Sequence, residues 1–379
     1  MNTEVQFDPG AGRHAGWQVF EAASGLCVEE GPWGPGGTMT VALPDSDGDY
    51  RVLISSIDVE KGWGYDRGER FLLLEARVRN GQSKIRQRET TMRRLRWQML
   101  PGQALQLFIE PWQVLYSNRS LIAAMVHRDV TSRYRGSFGN MAWTLLNPLL
   151  LMLTYFFVFG IVLQTRFPGD EGQAGFVLYF LCGMLPWLAF SEAIGRAPGV
   201  IWEHRNFVKK LVFPVEILPI NITFAGLASS GLALVVYLFL LMGTRERIPL
   251  EALWLPVYID PQVLLTMGVA WLFSAIGVYL RDLIQVNGFL LTLVFFLTPI
   301  CYPQASLPAW AWPVLQRSPI YKLVYGYRML FLENSGPAWQ EVARVWLYAL
   351  LIFYIGYAVF RNLKKGFVDV MLRPPPTSP

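Results

Sequence analysis

Side chains able to make or break bonds are few and scattered in this chain. Cys27, Cys182 and Cys301 lie far apart and form no Cys-x-x-Cys pair, which argues against a disulfide framework or a zinc site. His14, His127 and His204 show no metal-ligand spacing. A phosphate-cradling Gly-x-x-x-x-Gly-Lys-Ser/Thr loop is absent, since Gly34-Pro-Gly-Gly37 lacks the lysine and the helix that must follow. No nucleophile elbow, no His-Glu-x-x-His pattern and no paired carboxylates within apolar segments occur either. No catalytic residue, metal or cofactor is therefore expected in the chain itself, and energy must come from a partner. What remains is clustered charge. Arg128, Arg133 and Arg135 form one cluster, the segment from Glu203 to Lys210 a second, and Arg281-Asp282 a third. Guanidinium forks match pyrophosphate oxygens, and they are attracted equally to anionic lipid head groups; both readings stand for the first cluster.

The elements that must carry these clusters are mostly apolar. Of 379 residues, 53% are hydrophobic and 16% charged, with a net charge of +5. Soluble domains carry roughly 25% charged residues, and a mean hydropathy of +0.31 exceeds what a water-soluble core needs. Stretches free of Asp, Glu, Lys and Arg cover 142–163, 172–191, 217–244, 261–280 and 283–316, with a shorter sixth at 345–360. A membrane crossing takes about 20 apolar residues, so five qualify alone. The sixth, near 342–360, qualifies if Glu341 to Arg344 sit at the interface. The fifth holds Pro299, Pro303, Pro308 and Pro313, and reads as one span over 283–301 followed by short broken helices near Trp310 and Trp312. Asp260-Pro261 reads as an N-cap and first helical position opening the fourth span.

Before the spans, 118–133 has Leu121, Ile122, Met125, Val126 and Val130 on one helical face, with Arg119, Arg128 and Arg133 mostly off it. Such a basic amphipathic helix suits a membrane interface, or packs on a neighbouring domain. The first 110 residues are polar and Gly/Pro-punctuated and read as a small cytoplasmic β-rich domain. Strands are expected over 38–43, 50–59 and 71–78, with a turn at Asp45-Ser46-Asp47-Gly48. Another hairpin around Pro101-Gly102 competes with a basic helix over 84–99. Trp17, Trp33, Trp63 and Tyr65 either stack on sugars or pack a core.

The first residues lack a secretory signal pattern, so the N-terminus is expected to stay in the cytoplasm. Six spans then return the C-terminus there. Lys/Arg number ten between Lys84 and Arg135, four between Arg196 and Lys210, one at Arg281 and four from Arg361 to Arg373, nineteen in all against seven in the opposite segments. That asymmetry fits the positive-inside rule. Residues 374–379 read as a disordered tail.

Several motifs in series carry a resemblance. They are Arg128-Asp-Val-Thr-Ser-Arg-Tyr-Arg-Gly-Ser137 with Trp143 and Leu146-Asn-Pro148, then Gly183-Met-Leu-Pro-Trp187, then Asn206-Phe-Val-Lys-Lys-Leu-Val-Phe-Pro214 with Glu216-Ile-Leu-Pro219. Arg281-Asp282, Thr298-Pro299, Tyr302 and Tyr327-Arg328 follow in order. From His127 onward the chain resembles the permeases that export O-antigen, capsule or teichoic-acid chains within the type-2 ABC exporter superfamily. Two departures are Ser318-Pro319, where Asn-Pro is commoner, and the N-terminal β-rich domain, whose role does not carry over. The resemblance implies an α-helical integral membrane protein with six transmembrane helices over 111–373. It implies an inner-membrane homodimer, lipid-linked polysaccharide as substrate, and two copies of a separate ATPase subunit that binds ATP and Mg. Nucleic acid is not an expected partner. Glu203, His204, Arg205, Asn206, Phe207, Lys209 and Lys210 would correspond to a coupling helix on that ATPase, and Arg281 with Asp282 to a second contact. The short helices between Tyr302 and Pro319 would line the outer exit. A glycan path at the dimer seam needs aromatic planes, for which Tyr155, Phe156, Phe159, Trp187, Phe190, Phe295, Phe296 and Tyr302 are candidates, unless they face lipid. Exporters of small lipids or drugs share the layout and are the alternative.

Overall fold

The computed structural model describes the chain except for residues 1, 10–13, 23–26, 32–33, 36, 59–61, 67–68, 80–81, 133–152, 155, 163–172, 209–212, 305–306 and 373–379. It divides into two compact units, Met1–Gln106 and Leu107–Pro379.

The first unit is antiparallel β-structure. Strands β1 (Asn2–Phe7) and β5 (Gly37–Ala42) pair with each other. A larger sheet has the order β3-β2-β6-β8-β9, from Cys27–Glu30, His14–Glu21, Gly48–Asp58, Arg70–Arg79 and Gln82–Thr91, with the short strands β4 (Gly34–Pro35) on β2 and β7 (Gly62–Trp63) on β6. Side chains alternate across the sheet. Val52, Ile54, Leu72 and Leu74 face one side, where Val5 and Val41 of the small sheet close a core. Leu53, Phe71, Leu73 and Tyr65 fill the other side.

The expected strands are present within a residue or two, but 84–109 differs from expectation. Residues up to Thr91 form an edge strand whose register runs from Arg79↔Gln82 to Arg70↔Thr91. Helix α1 (Met92–Ser117) follows where a hairpin was expected. Arg79 and Gln82, paired in register, are separated in sequence only by Asn80-Gly81. The open hydrogen-bonding edge of β8 recruits the polar strand that local propensity alone does not declare.

The second unit is helical. Helix α2 spans Arg119–Ser132, and a π-helical segment spans Phe156–Val162. Helix α3 (Gln173–Arg196) runs through a 3-10 turn into α4 (Val200–Glu203) and α5 (Arg205–Val208). Then come α6 (Ile217–Arg245), α7 (Pro256–Tyr279), α8 (Leu283–Leu297), α9 (Trp312–Leu315), α10 (Pro319–Phe331), α11 (Trp339–Lys364) and α12 (Phe367–Leu372). Among the described residues, four helices are long and apolar enough to cross a membrane: Gly175–Glu203, Ile217–Arg245, Leu250–Tyr279 and Trp339–Lys364. The stretch expected as the first span, 142–163, lies mostly outside the described residues.

Three local expectations are corrected. Helix α7 begins at Pro256, preceded by a 3-10 turn at Leu250–Trp254, and Pro261 lies inside it. Pro256 already supplies the preset φ at the first helical position, so Asp260 is an exposed mid-helix residue rather than a cap. Helix α8 stops at Leu297 instead of residue 301 because Thr298 precedes Pro299 and is pushed to extended dihedrals, φ −86° and ψ 126°. Its 15 residues reach only about 22 Å, short of a hydrocarbon core about 30 Å thick. Third, the charged segment after Arg196 is a broken chain of short turns rather than one helix, interrupted at His204.

Close packing joins the long helices. Gly268 of α7 and Gly356 of α11 bring the two backbones together so tightly that a Cβ on Gly356 would strike the Gly268 main chain, and one on Gly268 the main chain of Ile352 and Phe353. Between them Trp271 is fully buried, with its ring 5.1 Å from Phe353 and 5.0 Å from Tyr357. Around Pro186, which removes a helical N–H from α3, the carbonyl of Leu185 accepts from Ser230 at 2.8 Å and that of Pro186 from Gln262 at 3.3 Å.

Candidate functional site

Residues at or near the ends of seven helices meet in one polar layer. Arg196, the last residue of α3, donates to both carboxylate oxygens of Asp129 on α2, at 2.6 and 3.3 Å. Arg361 of α11 pairs with Glu110 of α1 at 3.0 Å. Lys364 pairs with Glu216, the buried residue preceding α6, whose carbonyl also accepts from Trp271 at 3.1 Å. The Tyr279 hydroxyl closing α7 donates to the Leu363 carbonyl at 2.8 Å. Asn287, in the second turn of α8 and 1% exposed, donates to Ile194 and Gly195 carbonyls at 2.7 and 3.3 Å. Each link pins an orphan carbonyl or a charge at a helix end, where the backbone offers no partner of its own.

The short turns after α3 sit in this layer. Gly277 permits the backbone of Pro198 to approach so closely that a Cβ would strike it. Trp202 on α4 donates to the Gly277 carbonyl at 3.3 Å, and its ring lies 4.4 Å under the Arg281 guanidinium. Two loops far apart in sequence are thereby joined by a hydrogen bond and a cation–π contact. Outward from this anchor, Glu203, Arg205, Asn206 and Phe207 are exposed, with the Phe207 ring 5.4 Å from Phe213. His204 is half-buried and its Nδ1 lies 3.0 Å from the Val200 carbonyl. Arg281 and Asp282 are exposed. Lys209 and Lys210 lie outside the described residues.

At the opposite end, α8 breaks and the chain turns through Pro299-Ile300-Cys301-Tyr302. Arg328 of α10 holds that break. It is 2% exposed, and its guanidinium donates to the carbonyls of Pro299 at 2.7 Å and Ile300 at 2.9 Å and to the Tyr179 hydroxyl at 2.9 Å. The guanidinium carbon lies 3.5 Å from the Tyr179 ring centroid. Its Nε finds no acceptor among the described residues. A buried cation thus caps a broken helix with backbone carbonyls as its oxygen ligands.

The aromatic candidates divide. Trp187, Phe190 and Phe295 are buried against one another, with centroids 5.9 Å apart for Trp187–Phe190 and 5.4 Å for Trp187–Phe295. Phe296 is 46% exposed, and the Tyr302 hydroxyl donates to its carbonyl at 2.6 Å. Phe156 and Phe159 fall on the π-helical segment, of whose side chains at these positions nothing is described; Tyr155 lies outside the described residues. Arg128 is exposed on α2, while Arg133 and Arg135 lie outside them. Sequence reasoning missed Trp202, Asn287 and the Asp129–Arg196 pair. Arg328 carried the one available signal, its place in the Tyr327-Arg328 motif.

Several membrane-length helices with buried interhelical polar bonds define a multi-pass membrane protein. Residues 120–332 match the ABC-2 type transporter family, and the chain belongs to that family. It is 29% identical to the O-antigen export system permease protein RfbA of Myxococcus xanthus, over 67% of this chain and 96% of that protein. Identity to an O-antigen export system permease of Klebsiella pneumoniae is 26%, over 66% and 95% respectively. The polysialic acid transport protein KpsM of Escherichia coli is 20% identical over 65% of this chain and 95% of its own length. The family match begins at residue 120, so the β-structured unit lies outside it.

Proposed function

We propose that this chain is the permease subunit of an ABC exporter that carries a lipid-linked polysaccharide, of O-antigen or capsule type, across the cytoplasmic membrane. The observation that carries this reading is that the helical unit aligns with nearly the full length of relatives named for O-antigen and polysialic acid export. Two copies form the path and two copies of a separate ATPase subunit supply the energy. Six crossings, with 142–163 and the short α8 as the first and fifth, leave both termini in the cytoplasm; α2 lies along the inner interface. Residues 1–110 act as a cytoplasmic regulatory or supporting domain.

On this topology the polar layer is cytoplasmic, and Glu203 to Lys210 with Arg281 and Asp282 meet the ATPase. The Trp202–Arg281 contact supports that assignment, because a push on either loop moves both, and Asn287 and Arg196 pass it to α8, α3 and α2. Phe296 and Tyr302, with Tyr155, Phe156 and Phe159, are the channel-facing aromatics of this reading. Trp187, Phe190 and Phe295 back them. Arg128, Arg133 and Arg135 receive the pyrophosphate or head group at the inner leaflet. Deleting the gene in its host tests the function: lipid-linked polymer should accumulate inside, and the intact chain should restore surface glycan. Normal surface glycan in the deletion strain would overturn the reading.

A further inference from the structure

A second polar site lies at the end of the bundle opposite the cytoplasmic layer. Helices α9, α10 and the first turns of α11 enclose a cavity of about 580 Å³. Its walls include Trp312, Tyr325 and Tyr348, each half-buried and so presenting part of its ring to the space. Tyr321 backs this wall, with its ring 5.5 Å from Trp312 and 6.2 Å from Tyr325. Its hydroxyl accepts from Gln304, which lines the same cavity with Gln316. Charge is the discriminating feature. Lys322 and Arg344 share one carboxylate, Glu341. Arg317 also lines the cavity, is exposed, and has no carboxylate partner among the described residues. Three cations face one anion, which leaves a positive excess beside the rings.

Rings offering apolar planes, amides offering paired donors and acceptors, and surplus guanidinium charge are the complement of an acidic saccharide. The volume lies within the usual range of about 300–1,000 Å³ for small-ligand sites. Three cations and two amides in the lining fit a polar, charged ligand better than an acyl chain. We propose that this cavity binds a short segment of anionic sugar, with Arg317 taking the carboxylate and Tyr325 stacking on the ring. The inference rests on the export reading for its outward placement, and deepens it by assigning a receiving site to each protomer on the outer side. There the emerging polymer is held after it clears the path, which biases movement outward.

The test uses the full chain in phosphatidylcholine nanodiscs, titrated with trigalacturonate, maltotriose and inorganic pyrophosphate while tryptophan fluorescence is followed. Trigalacturonate should bind more tightly than either other probe. Arg317→Gln should weaken it about tenfold or more, as expected for loss of a hydrogen bond to a charged group. Tyr325→Ala should weaken it too, whereas Tyr325→Phe, which keeps the ring, should retain it. Size-exclusion elution and thermal midpoints matching the parent show that the variants are folded. Equal affinity in parent and Arg317→Gln, pyrophosphate binding as tightly as trigalacturonate, or no saccharide binding would each overturn the assignment. Surface glycan restored by Arg317→Gln and parent alike, with no saccharide binding by the parent, would sink this inference and leave the export reading standing.

Discussion

Replacing Arg328 with methionine separates its role at the helix break from its contribution to the whole fold. The carbonyls of Pro299 and Ile300 each lose a guanidinium donor, at 2.7 and 2.9 Å in the parent. A buried acceptor left without its partner costs about 1–3 kcal/mol, so the two together amount to about 2–6 kcal/mol. Against this, removing a buried charge that lacks a carboxylate partner returns a desolvation penalty of several kcal/mol. The two effects nearly cancel in global stability, and the thermal midpoint should change little. They do not cancel locally, because the lost bonds all fasten the segment after α8. Cys301 reports on that segment, being 1% exposed and adjacent to Ile300. In a Cys27→Ser background, maleimide labelling assigned by mass spectrometry should leave Cys301 protected when Arg328 is present. With methionine there, an opening easier by about 2 kcal/mol raises the labelling rate about 30-fold even at the lower bound. Arg328→Lys should also open the segment, since an ammonium cannot span both carbonyls and the tyrosine hydroxyl in a fixed fork. Unchanged labelling of Cys301 in both variants would refute the capping argument.

Trp202→Leu and Arg281→Met should each lower ATP-driven export while leaving assembly intact, and their combination should cost less than the sum. The expected coupling is about 0.5–1 kcal/mol, the cation–π range at exposed sites, and strict additivity in a double-mutant cycle would show the loops to be independent. Gly356→Ala should destabilise the α7–α11 contact by about 1–3 kcal/mol through overpacking, visible as a lower thermal midpoint in detergent; an unchanged midpoint would contradict the close approach. In the first unit, burial raises the Tyr65 phenol to about 12, with Asp66 and Glu30 adding to it, and its hydroxyl donates to Gln18 at 2.5 Å. The neutral form is favoured when folded, so its stabilisation is complete below the ordinary value of about 10 and is lost as pH rises toward 12. Tyr65→Phe should flatten that decline in thermal scans, and an identical alkaline profile would argue against it.

Apolar runs and period-two strands were readable because each reports its own environment. The alternation of Leu72, Leu74, Ala76 and Val78 lies on one buried face of β8, and the long apolar stretches at 217–244 and 261–280 are helices. Where another element decides the outcome, local reading failed. The polar segment from Lys84 to Thr91 becomes a strand because β8 offers it an edge. Pro256 opens α7 ahead of the more conspicuous Asp260-Pro261. Thr298-Pro299 held enough information to end α8 four residues earlier, since the residue before proline resists helical dihedrals. At the site, the exposed charges of Glu203 and Arg205 were legible as a cluster. Their anchor was not, because Trp202 meets Arg281 from 79 positions away and nothing in either neighbourhood names the other. Arg328 was visible in the Tyr327-Arg328 motif, but its ligands are carbonyls freed by a helix break.

The central claim is that this chain moves a polymer using nucleotide hydrolysis carried out by another polypeptide. Reconstituting the chain in proteoliposomes with and without its cognate ATPase, and following entry of lipid-linked polymer into a protected compartment, measures that directly. Protection should require both polypeptides and ATP, and the chain alone should hydrolyse none. ATP turnover by the isolated chain, or protected polymer without the ATPase, would contradict the account.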